Sequence, residues 1–81
     1  MAKPKTLHLT AVIWHEGDPY VSRCPEIGVA SFGKTPGAAR QALQEAVELW
    51  VANARELGIL DEVGPSLEQP ERYTAPTEVA L

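Results

Sequence analysis

The stretch GKTPGAARQALQEAVELWVANAREL, residues 33–57, decides the fold, because the spacing of apolar residues changes there from every second position to a helical period. Thr35 can offer its side-chain oxygen to the unpaired N–H groups of a helix start, and Pro36 sits at a first-turn position whose missing N–H is not needed. At about 100° per residue, Ala39, Ala42, Leu43, Ala46, Val47, Leu49, Trp50, Val51, Asn53, Ala54 and Leu57 share one side. Gln41, Gln44, Glu45, Glu48, Arg55 and Glu56 occupy the other. Gly58 suits the left-handed position that ends a helix, so the pattern predicts one long helix over about 36–57. The alanines of its first half permit close approach to a sheet, and Trp50 adds bulk farther along. The apolar arc spans about 200° by the same count, more than one small sheet needs.

Upstream, the period is two. Leu7, Leu9, Ala11 and Ile13 alternate with His8, Thr10, Val12 and Trp14, which predicts a strand over about 6–16. Gly17 and Asp18 supply a turn before a second strand over about 20–24. Pro25 to Gly28 interrupts again, since proline lacks a ladder N–H, and a third strand succeeds it at about 29–33. Downstream, Ile59 to Gly64 reads as a short link. Pro65 and Pro70 break the remainder of the chain, so residues 59–81 are expected to hold at most an edge strand within Arg72 to Leu81. The expected architecture is α+β: a single β-β-β-α-β two-layer domain over residues 1–81, an antiparallel meander covered by one long helix.

Composition bounds the function. The 81 residues are 44% apolar and 22% charged, the balance of a folded globular chain with one modest core. Seven Lys and Arg against eleven Asp and Glu give a net charge of -4, which lacks the basic stripe of nucleic-acid binders and suits a basic protein partner. One cysteine, Cys24, forms no internal disulfide, which fits a reducing cytoplasm. The basic start of residues 1–5 leads into a polar-interleaved strand instead of a signal-peptide apolar core, and no apolar run approaches the roughly 20 residues of a bilayer span.

No catalytic, cofactor-binding or metal-binding set assembles from the residue types present. His8 and His15 stand on opposite faces of the predicted strand. Glu16, Asp18 and Glu26 fall at turns, where acidic side chains stay solvated, and Cys24 has no base and orienting group at recognisable spacing. Gly28 and Gly33 are isolated, which excludes a phosphate loop, and Tyr20 and Phe32 lack the basic and aromatic company of an RNA platform. A non-enzymatic protein is therefore expected. One feature asks for a partner: a small sheet with one helix leaves a face open, and Val12, Trp14 and Phe32 fall on it. Either the tail folds across that face or another protein does. A homodimer or higher homo-oligomer is the expected outcome.

The order strand, hairpin, Cys24-Pro25-Glu26-Ile27-Gly28-Val29, then Gly33, Thr35 and the alanines Ala39, Ala42 and Ala46 with Leu49 resembles the HicB family of antitoxins over residues 7–57. Tyr20 and Val21 after the first turn belong to the same pattern, and Ala38 stands where the family usually has an acidic residue. The resemblance implies a partial ribonuclease H fold without that enzyme's activity. It also implies a cytoplasmic binding protein that masks the active site of a small basic HicA-type toxin, an mRNA-cleaving ribonuclease. Family members often add a C-terminal helix-turn-helix or ribbon-helix-helix, for which residues 59–81 are too short and proline-rich, so operator DNA binding is not expected.

Overall fold

The computed structural model describes residues 6–67 and 73–80. Three strands, β1 (Val12–His15), β2 (Tyr20–Cys24) and β3 (Val29–Gly33), precede the long helix α1 (Pro36–Glu56) and a second helix α2 (Leu60–Leu67). The sheet is an antiparallel meander in the order β1-β2-β3. One face carries α1. The expected α+β arrangement of meander and covering helix is the observed one.

The register assigns every strand side chain to a face. Ile13, Ser22 and Ser31 are cross-strand partners, as are Cys24 with Val29 and Tyr20 with Gly33. This set looks toward α1, because the buried Ser22 hydroxyl donates 2.8 Å to the Ala39 carbonyl. The layers meet through small side chains, Ser22 and Cys24 below and Ala39 above. Gly33 marks the closest approach: a Cβ there would lie 2.5 Å from the Ala39 nitrogen and 2.6 Å from the Ala38 carbonyl carbon. No ordinary packing tolerates those distances.

Both ends of α1 are built as its sequence indicates. Thr35, extended at φ -135°, accepts from the Ala38 N–H at 3.0 Å, and Pro36 opens the helix. At the other end Gly58 takes φ 75°, donating to the Arg55 carbonyl, while Ile59 donates to that of Ala54. These two bonds form the Schellman arrangement that satisfies the last carbonyls.

The ends of the chain depart from expectation. β1 begins at Val12 instead of near residue 6. Arg23 is its last partner on β2, Cys24 ends that strand, and Pro25 beyond has no N–H with which to extend the ladder. The preceding backbone finds other partners: His8 N–H donates 2.7 Å to the Leu67 carbonyl and Thr10 N–H 3.0 Å to Glu26 Oε1. Residues 60–67, expected as link and broken tail, form α2. Asp61 and Glu62 in its first turn oppose the helix dipole favourably, and Leu60 and Leu67, seven apart on one face, are half-buried and buried. The fourth strand is absent among the described residues, for 73–80 has no regular structure and is exposed throughout. The order is thus β-β-β-α-α. The readings of residues 1–5, Pro70, Arg72 and Leu81 lie outside the described residues.

Gly33→Ala should therefore cost about 2 kcal/mol or more in denaturant melts, since backbone must move to admit the methyl. Gly37→Ala, whose Cβ would meet only Thr35 Oγ1 at 4.0 Å, should leave stability unchanged or raise it by about 0.5 kcal/mol. Equal effects at the two positions would contradict the closeness of the layers.

Candidate interaction surface

Alternation along the strands sends a second set of side chains away from α1. Val12, Arg23 and Ala30 form one cross-strand row, and Trp14, Val21 and Phe32 the next. The three residues picked out by alternation and aromatic character, Val12, Trp14 and Phe32, are thus on one face, 38%, 39% and 69% exposed. No described segment covers them. Neighbouring strands lie about 4.8 Å apart, so the Trp14 and Phe32 backbones flank Val21 within about 10 Å. The Trp14 indole N–H donates 3.2 Å to Glu16 Oε2, which places that carboxylate at the turn end of the same face. Phe32 also walls an open depression of about 460 Å³ with Asp18, Pro19, Gly33 and Lys34. Val21, Arg23 and Ala30 complete the face; the signal for them is the same period-two alternation, applied to β2 and β3.

A second apolar region lies on the helical layer. Leu49, Leu57 and Ile59 are 65%, 74% and 41% exposed, so the broad helical arc indeed exceeds what the sheet covers. Leu49, grouped with the apolar side by its sequence pattern, instead lies outward beside Glu45 and Glu56, four residues before and seven after it, all exposed.

The polar candidates are structural. Glu26 is a clip: Oε1 and Oε2 accept from the Thr10 N–H at 3.0 Å and hydroxyl at 2.5 Å, and the Cys24 thiol donates 3.3 Å to Oε1. Partial burial opposes ionisation of Glu26, but the Thr10 hydroxyl and N–H outweigh it and hold the carboxyl below its ordinary value. Burial, reinforced by the Glu26 carboxylate, pushes the Cys24 thiol up, the opposite of what a nucleophile needs. His15 stacks on Tyr20 with ring centroids 4.4 Å apart, and its Nε2 lies 3.1 Å from the Asp18 carbonyl. Glu16 and Asp18 belong to the β1–β2 turn and Glu26 to the β2–β3 turn, at opposite ends of β2, so the structure does not gather the three carboxylates. Among the described residues no group of three or more His, Cys, Asp or Glu side chains is placed to hold a metal ion. No helix among them is long and apolar enough to cross a membrane.

The structure defines a small two-layer α+β domain whose sheet, among the described residues, is covered on one side only. Residues 8–60 match the UPF0150-like family model, well over half of the chain, and the protein belongs to that family. No curated protein and no solved structure matches it significantly.

The clip has a sign that can be measured. Its stabilisation is fully present above the unfolded carboxyl value of about 4.5 and is lost as pH falls through the lower folded value. Glu26→Gln should cost about 1 kcal/mol at pH 7 and flatten the acid limb of a stability-against-pH curve as pH falls below about 4.5. An unchanged acid limb would remove Glu26 from that role.

Proposed function

We propose that this chain is a cytoplasmic antitoxin domain that binds a small basic HicA-type ribonuclease toxin and neutralises it by covering the active site, with no chemistry of its own. The observation that carries this reading is the UPF0150-like match over residues 8–60, which coincides with the span, residues 7–57, that resembles HicB antitoxins. Membership of that family supports a toxin-antitoxin-related role. Charge supports a basic partner: the net charge is -4, and the exposed Leu49 stands beside Glu45 and Glu56, an apolar anchor with acidic neighbours. Such a surface speeds encounter with a cationic protein and orients it, while the apolar contact slows release.

Affinity capture from the native cell with mass spectrometry of the eluate identifies the toxin, and titration of its RNA cleavage then tests the mechanism. Cleavage should fall linearly to zero near one equivalent of the chain, because occlusion is stoichiometric. Raising salt from low to several hundred millimolar should slow association about tenfold or more. Full cleavage at several-fold excess in low salt would refute the proposal.

A further inference from the structure

We infer that residues 6–11 form a strap that lifts off the domain as a unit, hinged at the start of β1, and uncovers the Cys24 thiol while the sheet and α1 stay folded. This does not rest on the antitoxin reading.

The first argument is how the strap is held. Residues 6–11 lie outside the ladder, whose last pair is Val12 with Arg23. In place of a row of strand bonds, single points hold them: the His8 N–H donates to the Leu67 carbonyl, and the Thr10 N–H and hydroxyl donate to the two oxygens of Glu26. Two of these bonds converge on one side chain, so losing Glu26 frees the middle of the strap at once. The other ends on the last residue of α2, where a helix carbonyl has no partner within the helix.

The second argument is what lies beneath. Leu9, Thr10 and Ala11 wall a cavity of about 100 Å³, with Cys24, Leu43 and Val47 on its other sides. A gap of that size withholds close packing from the strap, which therefore loses little dispersion energy when it lifts. Thr6, His8 and Ala11 are exposed, and Leu7 and Leu9 are only half-buried. Cys24 and Leu43, by contrast, are 1% and 3% exposed, so lifting the strap admits solvent to side chains that the closed domain excludes from it. The rest of the fold has anchors of its own. The contact of α1 with Gly33, the Ser22 bond to Ala39 and the Thr35 cap involve no strap residue. The strap can release without breaking them, which is the condition for a local opening in place of global unfolding. In the closed state the Cys24 thiol donates to Glu26 under this cover, and burial keeps it protonated and unreactive.

Cys24 is the single cysteine, so its labelling by an excess of an aromatic disulfide reagent reads the opening of the full folded chain directly. The rate is followed over a range of urea, with amide hydrogen exchange by NMR alongside. Below the unfolding transition the rate should be nearly independent of urea, because lifting the strap exposes little surface. The His8 and Thr10 amides should exchange faster than those of β2 and α1. Glu26→Gln and Thr10→Val should each speed labelling about fivefold. Gly33→Ala, which disturbs only the seat of α1, should leave labelling in low urea unchanged. The wild-type urea profile decides even where Gly33→Ala does not fold. Labelling that climbs steeply with urea from zero, or that accelerates in Gly33→Ala in step with its lost stability, would mean that Cys24 is reached only through global unfolding, and would overturn the inference. So would His8 and Thr10 amides as protected as those of α1, or wild-type labelling rates in both strap variants.

Discussion

The descent of α1 onto β3 at Gly33 constrains everything else in this molecule. With no Cβ at Gly33, the first turns of α1 settle onto the sheet, and the Ser22 hydroxyl reaches the Ala39 carbonyl at 2.8 Å. That bond leaves neither buried partner unsatisfied, which in so thin an interior matters more than its modest net energy. Pro36 and the Thr35 cap set the direction in which the helix departs from the same point. A side chain at position 33 would lift α1 and break cap, packing and hydrogen bond together.

Close layers have a consequence for composition. Small residues must fill the gap, so the largest fully buried side chains are Cys24 and Ser22. Burial contributes about 25 cal/mol per Å² of apolar surface, and side chains of this size supply little of it. Leu43 and Leu67 are buried, but other large residues lie outward, Trp14 and Phe32 on the sheet face away from α1 and Leu49 and Leu57 on the outer helix. The exposed apolar surface therefore stems from how the helix meets the sheet, and is no accident of individual positions.

Much of this was legible in the sequence, and the exceptions share a cause. The bounds of β2, β3 and α1 could be read because each is set locally, by Gly and Pro at turns, by Thr35 and Pro36 at the helix start and by Gly58 at its end. The sheet-face assignment of Val12, Trp14 and Phe32 came from period-two alternation alone. Residues 6–11 alternate as well as any strand, but their ladder partner ends at Cys24, so their backbone turns to Glu26 and Leu67. That is a tertiary decision invisible to periodicity. Helix α2 was hidden for the same reason: Pro65 argues against it locally, while the burial of Leu67 and the bond from His8 hold it in place. The Glu26 clip escaped notice because an acidic residue at a turn looks solvated until the segment that packs on it is known.

The two exposed apolar regions differ in electrostatic character. The sheet face carries Arg23 at one end and Glu16 at the other, a mixed pattern. The outer helix around Leu49 carries Glu45 and Glu56 and would repel its own copy, while attracting a cation-rich protein. Like charges discourage self-association there. The layers place these two regions on opposite sides of the fold, so a protein covering one leaves the other exposed.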